Sequence, residues 1–298
     1  MEFRVLKYFL ETANEGSITK AAAKLHVTQP TMSKQLKDLE RELGTTLFFR
    51  TNYTIRLTES GMLLKDRAED IIEMVEKTQQ EFYSIKNTIS GTVYIGSGES
   101  YAIKNVTDVM KEIQIEYSKI KFDIVSGNAQ DLEEKLDKGL LDFAVLISPI
   151  DLSKYNHIAL PDKDTWGLVM NKDAKLSKLK KISLSDLLEI PIICSKQITK
   201  TNIHDFNFLN WFKGNFEKLN IVATYNLVYN ATLMAKSGMG YILTLDKLTD
   251  TTVNSDLIFK PLYPKLESGL NIVWKKGQIF SKPAKLFLEK LKEKFING

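Results

Sequence analysis

The chain has 298 residues, 43% of them hydrophobic, so its length allows two or three domains and each has the apolar material to bury a core. No apolar run approaches the length of a membrane span and the N-terminus lacks the basic-then-apolar pattern of a signal peptide, which argues for a cytoplasmic protein without a membrane partner. The net charge of +4 is small but unevenly placed: Met1–Arg67 holds 11 Lys and Arg against 8 Asp and Glu, the remainder 30 against 29, and all five arginines lie in that first segment.

In chain order, Leu6, Phe9, Leu10 and Ala13 recur at the spacing of one helical face, and Asn14-Glu15-Gly16 ends that helix. Ser17 is placed to cap a short second helix, Ile18 to Leu25, whose alanines permit a neighbouring helix to approach closely. After the link His26-Val27, Thr28 is placed to cap a third helix with Pro30 in its first turn, where the missing N–H costs nothing. In that third helix Met32, Leu36, Leu39 and Leu43 form an apolar stripe, with Gln29, Ser33, Lys34, Lys37 and Arg41 away from it. Any surface helix has a polar face, so the neighbours matter. Two helices joined by a tight turn form a helix-turn-helix, and Leu47-Phe48-Phe49-Arg50 with Ile55-Arg56-Leu57, separated by Thr51 to Thr54, read as a hairpin wing beside it. Gln and Ser at the start of a helix can read base edges, while Lys and Arg hold phosphates, the guanidinium fork suiting phosphate and guanine better than an ammonium does.

These residues carry a resemblance. Phe9-Leu10, Ala21-Ala22, Val27 through Leu36, Leu39-Glu40, Glu42-Leu43-Gly44, Leu47-Phe48 with Arg50, and Leu57-Thr58 with Gly61 resemble the winged helix-turn-helix of LysR-type transcriptional regulators. The resemblance implies a DNA-binding set of Ser17, Thr28, Gln29, Pro30, Thr31, Ser33, Lys34, Lys37, Arg50, Tyr53 and Arg56. One departure stands in the wing: where the family usually places a second basic residue soon after the Arg that follows Leu-Phe, this chain has Tyr53, and offers Arg56 later.

Thr58 is a candidate cap for a proline-free helix running to about Asn87. Leu64, Ala68, Ile71, Val75, Thr78, Phe82 and Ile85 follow one another at alternating steps of four and three, a heptad seam on a helix of about 45 Å. Such a seam pairs well with a second copy of itself, because a twofold operator is read by a twofold dimer; the resemblance implies the same linker helix, a homodimer and beyond it a homotetramer.

From Gly91 the pattern changes to strands alternating with helices: Thr92–Ile95, a helix to Tyr117, Lys121–Val125, a helix from about Ala129 to Lys138, then Leu141–Ile147. A second set begins at Trp166–Met170 and includes Pro191–Cys194, the amphipathic stretch Asn202 to Phe216, Ile221–Tyr225 and Ala231 to Leu245, before Leu270–Trp274 and a lysine-rich helix from about Ser281 to Phe295. The alternation argues for parallel sheets covered by helices, in two lobes joined by crossovers near Leu160 to Asp164 and Phe259 to Leu266. Gly91 with Ile95-Gly96, Leu136 with Gly139-Leu140-Leu141-Asp142, and Ser237-Gly238-Met239-Gly240 are similar to the LysR-type effector domain, which implies a fold like a periplasmic solute-binding protein. The positions that commonly touch effectors correspond to Ser100 and Asn128, with Thr201 and Asn202 as weaker candidates; each can also be an ordinary helix cap. Without an arginine in this region, a carboxylate effector would depend on helix N-terminal N–H groups, Ser100, Asn128 and a lysine, so the expected ligand is a small polar or anionic metabolite held with modest affinity.

Catalytic readings fare worse. Gly96-Ser97-Gly98-Glu99-Ser100-Tyr101 begins like a dinucleotide fingerprint, but Tyr101 occupies the place of the third glycine. His26, His157 and His204 are far apart, no Cys or His cluster has metal spacing, and Cys194, in the apolar run Ile190 to Cys194, reads as a buried inert thiol. The sequence thus predicts a non-enzymatic α/β regulator without cofactor or metal: a winged helix-turn-helix over 1–58, a linker and dimerisation helix over 59–90, and an effector domain over 91–298, whose first lobe comprises 91–161 and 266–298 and whose second comprises 162–265. Its expected partners are double-stranded DNA bearing an interrupted inverted repeat, a small-molecule effector and itself. Two other classes compete: a solute-binding receptor without DNA binding, and an α/β enzyme using Ser97 or Ser100, for which no base is evident.

Overall fold

The computed structural model describes residues 1–50, 55–83, 89–148, 150–200 and 206–296. It divides into two compact units, Met1–Tyr83 and Ser84–Gly298.

The first unit opens with α1 (Phe3–Glu15), which buries Val5, Leu6, Tyr8, Phe9 and Thr12 and stops at Gly16, whose φ of 60° is left-handed. In α2 (Ile18–Lys24) the Ser17 hydroxyl accepts the Lys20 N–H at 3.4 Å. The turn to α3 (Gln29–Leu43) passes through His26 at φ 55°, and the Thr28 hydroxyl accepts the Thr31 N–H at 3.4 Å, with Pro30 in the first turn. Phe9, Ala21, Met32 and Leu36 meet in the centre of this core. Leu43, at the last helical residue, departs from the expected stripe and is 41% exposed.

Strands β1 (Phe48–Arg50) and β2 (Ile55–Leu57) pair antiparallel, with Phe49 opposite Arg56. The Thr58 hydroxyl accepts the Gly61 N–H at 3.0 Å, capping α4 (Glu59–Tyr83). A Cβ at Gly61 would lie 2.2 Å from the Leu47 carbonyl oxygen, so only glycine lets α4 start against the wing. The heptad seam divides along this helix. Leu64 and Ala68 pack into the unit's own core, whereas Ile71 is 38% and Phe82 69% exposed. The first part of the expected pairing surface is therefore spent within one chain; Ile85 lies outside the described residues.

The second unit contains, in order, β3 (Gly91–Ser97), α5 (Lys104–Glu116), β4 (Ile120–Ser126), α6 (Ala129–Asp137), β5 (Phe143–Ile147), β6 (Tyr155–Asn171), α7 (Leu184–Leu188) and β7 (Pro191–Ser195). It continues with α8 (Lys196–Lys200), α9 (Phe206–Phe212), β8 (Asn220–Tyr225), α10 (Val228–Lys236), β9 (Tyr241–Leu245), β10 (Leu257–Pro261), β11 (Glu267–Lys275) and α11 (Lys282–Phe295). The strand order is β4-β3-β5-β11-β6-β9-β7-β8, with β10 on β6. β3 runs parallel to β4 and β5, and β7 parallel to β8 and β9. β11 and β6 join the two trios through antiparallel pairs.

This is the expected two-lobed α/β architecture. The first crossover lies within a strand, β6 being unbroken for 17 residues and pairing with β11 along Tyr155–Thr165 and with β10 along Gly167–Asn171, whereas the second leaves the strands over residues 262–266 between β10 and β11. Pro161 lies within β6. In the sheet it falls where the register shifts, Lys163 facing Gly269 and Ala159 facing Asn271, so its missing N–H is absorbed by a bulge. Each lobe keeps its own core. Phe143 stacks on Phe280 at 5.0 Å and meets Phe287 at 5.1 Å in the first lobe; Phe208 and Phe212, 4.9 Å apart, anchor the second. A Cβ at Gly96 would come within 2.6 Å of Leu141 and 2.7 Å of Leu132, which keeps β3 tight against α6.

Candidate functional site

The first unit offers a ridge. With Met32, Leu36 and Leu39 buried, the helical repeat turns Gln29, Pro30, Thr31, Lys34 and Lys37 to solvent, while Ser33 is half-buried at the edge. Lys34 and Lys37 have no ion-pair partner among the described residues, whereas Arg41 pairs with Asp38 at 3.1 Å. Ser17 is half-buried and engaged as a cap. Lys24 faces α1 instead of the ridge: it meets Glu11 at 2.7 Å and Glu15 at 3.3 Å, and the hydrogen bond to Glu11 above all raises its pKa. On the wing Arg56 is exposed, and the backbone of Arg50 lies opposite Ile55. Tyr53 lies outside the described residues.

Sequence reasoning missed the role of Glu40. Its carboxylate accepts the N–H groups of Leu47 at 2.9 Å and Phe48 at 3.3 Å, fixing the wing's first strand to the third helix. Its signal was weak, because the same helix also carries Asp38 and Glu42 and no local spacing marks which carboxylate meets the wing.

The second unit offers a cleft of about 720 Å³, reached from both lobes: by Gly98–Glu99, Gly127–Gln130 and Ser148 on one side, and by Ser195, Phe208 and Tyr225–Leu227 on the other. Asn128 lines it. Its Oδ1 accepts the Asp131 N–H at 3.0 Å and its Nδ2 donates to the Asp131 carboxylate at 2.6 Å, so the N-terminus of α6 is already served by its own side chains. Ser100 does not line it. That residue is buried, its hydroxyl donates to the Asp164 carboxylate, and its oxygen accepts the Ala102 N–H at 3.0 Å. Thr201 and Asn202 lie outside the described residues; just before them, Gln197 and Ile198 of α8 line the cleft.

Two groups unforeseen in the sequence link the lobes. The Glu99 carboxylate accepts the Val228 N–H at 2.7 Å, capping α10, whose own N-cap, Leu227, has no acceptor to give. The Lys247 ammonium sits 4.8 Å from the Tyr101 ring. On the wall, the rings of Trp166 and Phe208 lie 5.1 Å apart, and the Trp166 indole donates to Ser268 at 2.9 Å. Burial first, and then the neighbouring Asp137, raises the pKa of Glu133, against the pull of Lys154.

Neither hydroxyl considered for catalysis reaches this cavity: Ser97 is buried with its hydroxyl donating to the Gly98 carbonyl at 2.8 Å, and Ser100 is held by Asp164. Cys194 is buried, which pushes its thiol pKa up to about 11, above the range where a thiolate forms at neutral pH. Among the described residues no group of three or more His, Cys, Asp or Glu is arranged to hold a metal ion, and no helix is long and apolar enough to cross a membrane.

Comparison with known proteins places both halves. Residues 3–62 match the family model of the bacterial regulatory helix-turn-helix protein, lysR family, and residues 86–296 match that of the LysR substrate binding domain. The chain is 25% identical to the uncharacterized HTH-type transcriptional regulator YvbU of Bacillus subtilis (strain 168), over 99% of each chain. It is 26% identical to the HTH-type transcriptional regulator BsdA of the same organism, covering 97% of this chain and 99% of the relative. Its fold is similar to that of full-length CbnR in complex with its target DNA, with a TM-score of 0.74 at 17% identity, over 98% of this chain and 99% of that one.

Proposed function

The chain belongs to the LysR family of transcriptional regulators, and on that premise we propose how its residues divide the work. It is a DNA-binding regulator with an effector-binding domain. Gln29 and Ser33 read base edges in the major groove, Lys34 and Lys37 hold phosphates, and Arg50 and Arg56 of the wing contact the backbone beside them. The observation that carries this reading is the third helix itself: its buried back fixes it rigidly, and its first turns expose Gln29, Thr31 and Lys34 together.

The protein acts in the cytoplasm as a dimer, and as a pair of dimers, on an interrupted inverted repeat, without enzymatic chemistry. The exposed Ile71 and Phe82 of α4 support self-pairing over the later part of the seam. A ligand in the cleft shifts the balance between two lobe arrangements and so the spacing of the DNA-reading heads.

Fluorescence anisotropy with a bound genomic fragment and a scrambled duplex tests the readout. Gln29→Ala should cost about 1–3 kcal/mol on the specific site and little on the scrambled one, whereas Lys34→Ala should weaken both and reduce the salt slope by about one. Equal losses on both duplexes for Gln29→Ala would remove the base-reading role. Light scattering on Ile71→Glu with Phe82→Glu tests the seam: dissociation is expected, and an unchanged oligomer refutes it.

A further inference from the structure

We propose that the cleft takes an organic cation, an ammonium group carried on an apolar body, and disfavours anions. The inference rests on the reading of this cleft as the effector site and names the class of molecule that fits it.

An anion needs unfilled N–H groups or cations, and among the described residues the cleft is lined by no cationic side chain and its two longer helices are already capped. The two longer helices that begin at its wall are already supplied: α6 by Asn128, and α10 by the Glu99 carboxylate reaching across from the other lobe to the Val228 N–H at 2.7 Å. A carboxylate ligand at α10 would have to displace a carboxylate that is held in place by the fold and leave it beside the newcomer. The charged residues lining the cavity are Glu99, Glu133 and Asp151; among the described residues none of its lining is Lys, Arg or His.

Glu133 is the group such a ligand would meet. It lies on α6, half-buried, with no hydrogen-bond or ion-pair partner among the described residues, and faces the charges of Asp137 and Asp151 with only Lys154 opposing them. A half-buried carboxylate in acidic company gains from an incoming cation, which supplies a hydrogen-bond donor and balances the charge. Trp166 and Phe208, rings 5.1 Å apart, supply the apolar wall and a π-face for the same charge.

The test uses the full chain and two probes of similar shape, 2-phenylethylammonium and 3-phenylpropanoate, followed by isothermal titration calorimetry at neutral pH. The ammonium should bind and the carboxylate should not. Glu133→Gln should weaken the ammonium about tenfold, Asp151→Asn should weaken it less, and added salt should weaken it in the parent chain more than in Glu133→Gln. Gln130→Trp, placed at an exposed lining position to fill the cavity, should abolish binding. Circular dichroism establishes that each variant is folded.

A carboxylate that binds and is lost in Gln130→Trp would keep the effector site and overturn its charge preference. Binding of neither probe at millimolar concentration, or of the ammonium undiminished in both Glu133→Gln and Asp151→Asn, would also overturn it. If the ammonium binds as described while DNA affinity stays the same with and without it, the ligand class stands and the regulatory reading of the cleft falls.

Discussion

The two units of this chain solve recognition in opposite geometries. The first presents a convex ridge: one helix, buried along Met32, Leu36 and Leu39, exposes Gln29, Thr31, Lys34 and Lys37 within a few turns of its own backbone. The second encloses a cleft whose walls come from segments as far apart as Gly98, Gln130, Ser195, Tyr225 and Ser268. A convex reader can be assembled from consecutive sequence, while a concave one exists only once distant strands have paired. Their electrostatics diverge accordingly: the ridge exposes Lys34 and Lys37, which have no ion-pair partner among the described residues, and the cleft is lined by Glu99, Glu133 and Asp151.

If the units are energetically separate, breaking one core should leave the other standing. Phe143→Ala removes a ring in contact with Phe280, Phe287 and Trp274 and should cost about 3–5 kcal/mol. Trp166, Trp211 and Trp274 all lie in the second unit, so tryptophan fluorescence follows it alone. The fluorescence transition should fall in denaturant midpoint for Phe143→Ala and stay in place for Phe9→Ala, whose loss should show only in helical circular dichroism. Coincident shifts of both signals in both variants would mean the units unfold together.

A smaller effect isolates the ridge's support. Glu40→Ala leaves the Leu47 and Phe48 N–H groups without the acceptor that ties the wing to the third helix, at a cost of about 1–3 kcal/mol to the first unit. Specific and scrambled DNA should be weakened alike, in contrast to Gln29→Ala; selective loss on the specific site would make Glu40 part of the readout.

The same contrast explains what was legible in the sequence. Ser17, Thr28, Pro30 and the hairpin declared themselves because each acts within a few residues: a hydroxyl reaches an N–H three positions on, and a strand meets the next one. The seam of α4 was legible as a pattern but not in its division, since a heptad does not say which turns will find Phe9 and Phe48 of the same unit beneath them. In the second unit the alternation of strands and helices set the architecture, yet the length of β6 depends on its pairing with β11, which lies far along the chain. Ser100 sits next to the cleft in sequence, but its direction depends on Asp164, and Glu99 meets Val228 across 129 positions. No local spacing encodes either contact.

Asp164 provides the finest test of that buried link. Its pKa is raised, by burial first, opposed by the hydrogen bond from Ser100, and supported by the nearby charge of Asp246. A carboxyl whose folded pKa exceeds its unfolded value binds more protons when folded, so the stability it contributes is present below the unfolded pKa and lost as pH rises through the folded one. Asp164→Asn removes the titration while keeping an oxygen for the Ser100 hydroxyl. The melting temperature of the parent chain, measured relative to Asp164→Asn by tryptophan fluorescence, should therefore be highest below about pH 4 and decline as pH rises above that ordinary carboxylate range. An advantage that grows with pH instead would mean that the Ser100 hydroxyl and the Ala102 N–H outweigh burial, and that the ionised form of Asp164 is the one the fold prefers.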